Sequence, residues 1–515
     1  MTGGHNIKAG VQWNGGPYRR TRVGNADLVQ RYRNGVPDSV AVYNTPIDWT
    51  DRLNAAFGVY GQDAWTFRRL TMNYGARFEY FKSEVAPSTS PAGRFVPTRS
   101  FAAIPMPVWK DLAPRFGVVY DPFGDAKTAI KFGINRYELA QTINFADQFN
   151  PLVLTSAVLN WTDLNHDDIA EGEPGCVYLT PGCEINFAQL PQNFGVRPLV
   201  SPNPDIKRVY SLETTLGVQR EVIAGVQLNA NWFHRAFHNL PRQNNTLQSF
   251  SDYAPVPVVS PLDGSVITMY NVSRQALTRV NNVVFTDDTQ KEWYNGYEVS
   301  LNARLPHGAT VFGGMTSERM LWTLCNEQSN PNNLLHCDAR NSGIPFRTQF
   351  KLSGSYPLPY GIQIGGSFQS IPGYPLGCGG SCNIPSPTAL PSVTTPPGLG
   401  TVWLISPTTR YAADCKGPCT PGALVIPNMS AANLSVPLIA PGTQYAERVN
   451  QLDLSFAKWF QVGATRLQPQ LDLFNAFNRS AVLSVRSLNY GTPSYLQPSS
   501  VLQGRIVRLA MQMKW

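Results

Sequence analysis

The residues best suited to chemistry lie in polar, turn-rich stretches. "WTDLNHDDIAEGE" (161–173) sets Asp163, Asn165 and Asp167 at alternate positions and adds Asp168, Glu171 and Glu173. Asp-x-Asn-x-Asp opens a calcium loop, because a hard cation draws several oxygens from one turn. The match then lapses. The sixth position, where such a loop needs Gly, is Asp168, and the twelfth is Pro174 rather than Glu. Two readings stay open: a calcium site on Asp163, Asn165 and Asp167, or a solvated acidic loop. "HRAFH" places His234 and His238 four apart. That spacing suits zinc on a helix, but the segment alternates as a strand and lacks the Glu of H-E-x-x-H. No nucleophile elbow, phosphate loop or dinucleotide fingerprint occurs, so the chain reads as a binding or transport protein rather than an enzyme.

Eight cysteines fall in close pairs: Cys176/Cys183, Cys325/Cys337, Cys378/Cys382 and Cys415/Cys419. "CGGSC" and "CKGPC" have neither the C-x2-C knuckle of a zinc site nor a nearby His. An even count in tight pairs within polar loops points instead to disulfides and an oxidising compartment. The first two pairs each sit alone in a loop and predict local bridges. The last four cysteines share one stretch and allow three pairings, of which two local bridges close the shortest loops.

The elements that hold these loops are strands. Over 515 residues only 15% are charged, yet mean hydropathy is −0.20, and Gly and Pro number 42 each. No run of about 18 apolar residues occurs, so no transmembrane helix is predicted. The net charge of +8 comes from scattered basic residues, and a nucleic-acid footprint needs them gathered in a patch or stripe. In "LTMNYGARFEYF" (70–81), Leu70, Met72, Tyr74, Ala76, Phe78 and Tyr80 share one face, and Thr71, Asn73, Arg77 and Glu79 the other. The same period of two runs through 5–13, 297–305, 349–356, 450–460 and 503–515, and it marks strands with one apolar and one polar wall.

Short turns at 66–69, 123–127, 222–225, 305–309, 358–361 and 461–465 alternate with long connections at roughly 82–112, 139–205, 239–290, 322–345, 374–449 and 479–502. That asymmetry, with aromatic residues such as Tyr80, Trp232, Tyr297, Tyr356, Trp459 and Trp515 toward strand ends, predicts an all-β, antiparallel outer-membrane barrel of about fifteen or sixteen strands. Its short turns are periplasmic, its long loops are extracellular, and every cysteine falls in a long loop. The terminal Trp515 stands where such barrels end on an aromatic read by the barrel-assembly machinery. No signal peptide or plug is visible ahead of the first alternating stretch. One barrel domain over 1–515 is therefore expected, with an empty lumen and a poorly matched seam between 5–13 and 503–515.

Six stretches carry a family resemblance: "VYGQDAWTFRRLTMNYGARFEYF", "LAPRFGVVYDPFGDAKTAIKFGINRYE", "YSLETTLGVQREV", "YNGYEVSLNARLPHG", "FRTQFKLSGSYPLPYG" and "LDLFNAFNRS". Together they resemble TonB-dependent receptors, in particular the Oar-like subgroup. The resemblance implies a 22-stranded barrel with an N-terminal plug, and uptake energised by TonB through that plug. This chain shows neither plug, TonB box nor regulatory-like domain, so it corresponds to the barrel portion alone. The implied partners are outer-membrane lipid, TonB by way of the complete protein, and an extracellular ligand held by the loops. The alternatives are an adhesive or structural barrel, and a passive plugless pore.

Overall fold

A computed structural model describes residues 4–191, 193–196, 200–377 and 400–515. Fourteen long strands follow one another as an antiparallel meander. They are β1 Gly4–Arg22, β2 Ile47–Phe67, β3 Leu70–Val85, β4 Trp109–Tyr120, β5 Thr128–Glu138, β6 Tyr210–Ile223, β7 Val226–His238, β8 Lys291–Arg304, β9 Thr310–Thr323, β10 Arg347–Leu358, β11 Ile362–Ile371, β12 Val449–Lys458, β13 Thr465–Phe474 and β14 Ile506–Lys514. Each pairs with its neighbours in chain order, and the sheet counts sixteen strands with the short segments Ile104–Pro105 and Phe460–Val462.

The register confirms the two-walled reading. One row crosses the sheet as Val11, Val59, Phe78 and Leu112. A second runs Phe132, Leu216, Trp232 and Tyr297, and a third Ile364, Phe456, Leu471 and Leu509. These side chains stay substantially exposed, Val11 at 69% and Leu509 at 80%, because no protein layer covers them. The opposite wall carries Gln62, Arg77, Glu79, Asp111, Arg115 and Asn135. A sheet with this distribution has its apolar side toward lipid and its polar side toward a lumen.

Every short turn falls where the sequence placed it. Tight reversal at Pro306–Gly308 and Pro359–Gly361 takes left-handed backbone at two successive residues, His307 with Gly308 and Tyr360 with Gly361. A glycine adopts that conformation without steric cost.

Three features depart from the alternation or go beyond it. First, β1 continues to Arg22, well past residue 13. The run Gly15-Gly16-Pro17 hides its second half, where the register shifts between Asn14 and Gly16. Between β1 and β2 lies a further long connection that the alternation did not show. Second, the long connections are folded. Strands Leu28–Arg33, Val36–Tyr43 and Ser156–Asn160 form a sheet over Val40, Val42, Leu159, Trp161 and Ile185. Hairpin Tyr253–Val259/Val266–Val272 packs with Val402–Ile405 and Leu434–Pro437 over Val258, Met269, Ile405, Ile426 and Val436. The deepest apolar burial is therefore in the loops. Third, the lumen is not empty at the long-loop end, where loop side chains pack onto lumen-facing residues.

Among the described residues no ladder joins β1 to β14. Strand β1 pairs only with β2, and β14 only with β13.

The face assignment is testable with one pair of neighbours. Val299 is 45% exposed on the apolar wall, whereas Ser300 accepts a hydrogen bond from the Asn229 carboxamide on the polar wall, at 3.2 Å. Val299→Arg should weaken folding into lipid vesicles by about 2–4 kcal/mol, while Ser300→Arg should cost far less. Equal losses in a heat-modifiable gel-shift titration would reverse the assignment.

Candidate functional site

The polar wall of β1–β5 lines a cavity of about 560 Å³. Lys8, Gln62, Asn73, Arg77, Glu79, Arg115 and Asn135 are among the residues that line it. Alternation puts each of these on the same face as its neighbour two residues away. Arg77 lies flat across β2. It donates to Glu79 at 2.6 Å and to the Gln12 side chain at 3.1 Å. A methyl at Gly58 would collide with its guanidinium, so the bare backbone there makes room for the cation.

Above this cavity the connection between β5 and β6 folds down onto the wall. Arg208, 6% exposed, donates to Glu79 at 2.6 Å, approaches Asp111 at 3.4 Å, and donates through Nε to the Leu139 carbonyl. Two carboxylates and a carbonyl thus hold one buried guanidinium, the pairing a desolvated cation requires. Beside it the Phe145 ring sits 4.5 Å from Trp109, and the Phe81 ring stacks on that indole at 5.5 Å. The Trp109 N–H donates to the Ile206 carbonyl at 2.8 Å. Farther round the rim, buried Asp51 accepts from the Asn150 carboxamide at 2.9 Å, and Arg20 pairs with Asp147 at 3.1 Å. One connection is thereby fastened to β1, β2, β3 and β4 at once.

A second knot organises the loops beyond the sheet. Arg242 pairs with Glu327 at 2.8 Å and with Asp287 at 3.4 Å, all three being buried. The Glu327 carboxylate also accepts from the Ser329 and Asn330 amides and the Asn333 side chain. Burial alone would raise its pKa. The Asn333 side chain, the two amides and Arg242 outweigh that and hold it below the ordinary Glu value. Nearby, the Cys325–Cys337 disulfide closes the connection between β9 and β10.

The residues singled out from sequence separate into different places. Asp163 accepts from the His166 and Asp168 amides, Asn165 from the Asp167 amide, and Asp167 from the Ile169 amide. Their oxygens thus serve the loop's own backbone. Among the described residues no group of three or more His, Cys, Asp or Glu could hold a metal ion. The loop turns instead about Glu184, 1% exposed, which accepts from the Leu164 amide and the Trp161 indole. His234 and His238 lie on one face of β7. His234 bonds Asn295 and His238 stacks on Tyr210, so the two have separate partners. Cys176–Cys183 and Cys415–Cys419 are bonded locally, and both lie in long connections. Cys378 and Cys382 lie outside the described residues. Trp515 is 91% exposed at the short-turn rim.

Glu79 was legible as a polar-face residue, whereas Asp111 fell in the stretch read as a connection and Arg115 was given no face. Arg208, Arg242 and Glu327 were not legible, since each lies in irregular sequence where no periodicity assigns a face. What these clusters can do is hold and select charged or polar groups. Each acidic group described above is paired with Arg or amide donors, an arrangement suited to binding.

A family model described as an outer membrane beta barrel domain matches residues 3–373. No match is found among curated proteins. Among solved structures, the chain is similar to the outer membrane transporter YddB from Escherichia coli, with 10% identity and a TM-score of 0.41 over 98% of this chain and 54% of that one. It is similar to the ferric-catecholate import receptor Fiu from E. coli K12, with 12% identity and a TM-score of 0.42 over 98% and 55%. It is also similar to the FrpB iron transporter from Neisseria meningitidis, with 11% identity and a TM-score of 0.40 over 97% and 56%. The chain therefore spans about half the length of these structures.

Two outcomes are expected. Arg208→Ala leaves Asp111 without its cation and Glu79 with Arg77 alone, and it should release the β5–β6 connection, destabilising it by about 3 kcal/mol. Amide exchange there should rise while β7–β13 stay protected. Second, because the Glu327 pKa is lower folded than unfolded, its contribution is complete above the unfolded value near 4.5 and is lost as pH falls through the folded value. The loop knot should loosen as pH falls below the ordinary Glu range, read by fluorescence of the buried Trp403. Glu327→Gln should remove that acid step.

Proposed function

The chain belongs to the outer membrane beta barrel domain family, and on that premise we propose that it is the barrel of a receptor that captures a ligand at its long loops and admits it to the lumen. Its place is the bacterial outer membrane. In this reading the long-loop rim is extracellular and the short turns are periplasmic, and residues 1–515 act as one barrel domain. The observation that carries the proposal is the anchored mouth. The β5–β6 connection, with Phe145 and Arg208 as its anchors, rests on the lumen wall directly above a charged cavity. A barrel built only for adhesion has no need of loops tied inward to its lumen. The stretches that resemble TonB-dependent receptors support energised uptake in the complete protein, with TonB engaged outside this chain. Sequence detail of the Oar-like kind belongs to the same proposal.

One feature favours a second reading. The Cys176–Cys183 loop is buttressed by its own core and displays Val177 at 70% and Leu179 at 54% exposure, as an adhesive tip would.

The readings separate in the native host. Strains lacking this gene and strains lacking TonB are grown in the same defined medium, and the solutes left unconsumed are measured. For a TonB-linked receptor, at least one solute should persist in both. A gene deletion that leaves every solute consumed but lowers cell–cell attachment would replace uptake with adhesion.

A further inference from the structure

We propose that the outward face of β3 and β4 binds the phosphate of a membrane lipid headgroup, through Lys82 and Lys110. The inference rests on the membrane reading above and names a lipid class for one place on the wall.

The outward side chains of β3 run Tyr74, Ala76, Phe78, Tyr80, Lys82 and Glu84. Those of β4 run from Lys110 down through Leu112 to Phe116. The register sets Phe78 opposite Leu112 and Tyr80 opposite Lys110. Lys82 and Lys110 are diagonal neighbours across that ladder, roughly 7–8 Å apart at the backbone, within reach of long side chains. Both are exposed. Neither makes an ion pair among the described residues. Arg52, opposite Glu84 on the same face, pairs with it at 3.4 Å and neutralises the one nearby carboxylate. The patch therefore keeps two uncompensated cations.

Its height is decisive. Lys82 lies about twelve residues beyond the turn that precedes β3. At about 3.3 Å per residue and a tilt near 40°, that is about 30 Å above the short-turn rim. The apolar band of such a barrel is about 25 Å tall. Lys110, opposite Tyr80, stands by the same measure about 25 Å up, at the edge of the band, and Lys82 just past it, so that both reach headgroup depth. Below them on the same outward rows are Phe78 at 38% and Leu112 at 55% exposure, and Tyr80 stands level with Lys110 and one step below Lys82. An aromatic belt, then cations, is the order a phosphorylated lipid presents in reverse, chains below and phosphate above. A soluble anion would gain nothing from the apolar floor, so the occupant is a lipid.

The test uses the purified full chain in neutral detergent. Retention of bis-phosphorylated lipid A is compared with that of its dephosphorylated form by native mass spectrometry. Wild type should retain the phosphorylated lipid in preference. Lys82→Ser/Lys110→Ser should lose roughly ten- to thirty-fold of that retention and leave the dephosphorylated lipid unchanged. Lys82→Arg/Lys110→Arg should restore it. Equal retention of the two lipids by wild type would overturn the proposal, as would a serine variant that binds like wild type. Displacement by millimolar inorganic phosphate would replace the lipid with a free-anion site. Heat-modifiable mobility and vesicle insertion, measured on the same samples, report on the barrel itself. Loss of insertion in wild type would count against the membrane reading, while normal insertion without lipid preference would count against this proposal alone.

Discussion

A strand that crosses a bilayer has no water to satisfy its backbone, so its amides and carbonyls must find partners in neighbouring strands. That constraint shapes the rest of this protein. It forces one continuous antiparallel sheet, and it leaves the side chains to divide by parity between hydrocarbon and lumen. Phe78 and Glu79 are adjacent in sequence and meet opposite solvents. The row from Val11 to Leu112 is apolar because lipid is there, and the row holding Gln12, Glu79 and Asp111 is polar because it faces inward.

The same constraint explains where the packed core lies. A single-layered wall cannot bury its apolar face against protein. Conventional burial is found where the chain leaves the bilayer and folds on itself. Ile185, Met269, Ile405 and Ile426, among the largest fully buried side chains, all belong to connections. Short disulfides suit such small cores. A bridge such as Cys176–Cys183 restrains the unfolded loop by an amount worth about 2–3 kcal/mol in the chain-entropy account, comparable to fully burying one large apolar side chain.

How much was legible follows from these physics. Period-two alternation is a local signal, and it located the strands of the wall and their short turns, including Pro306–Gly308 and Pro359–Gly361. It failed where the backbone departs from the regular pleat, as at the Asn14/Gly16 bulge, which hid the upper half of β1. It was also silent inside the connections, where partners such as Arg242 and Glu327 are 85 positions apart in sequence and meet only through tertiary folding. At the acidic run 163–168 the residue spacing said nothing of the backbone these side chains would meet. Asp and Asn side chains that read as cation ligands are occupied by neighbouring amides, the ordinary work of these residues in tight turns. Glu184, a single buried carboxylate with no motif around it, organises that loop instead.

The anchored mouth combines two kinds of interaction with different consequences. The Phe145–Trp109 contact is apolar and tolerates small shifts. The Arg208 knot does not, because separating it strips a buried guanidinium of both carboxylates and leaves Asp111 without its cation, Glu79 keeping only Arg77. Such pairs add little net stability over an apolar substitute, but they single out one geometry. The β5–β6 connection therefore has a defined closed position rather than a range of them. A ligand that moved it would need to bind the open state more tightly by the full cost of separating those charges. Supplying replacement charges to Glu79, Asp111 or Arg208 is the most direct way to lower that cost.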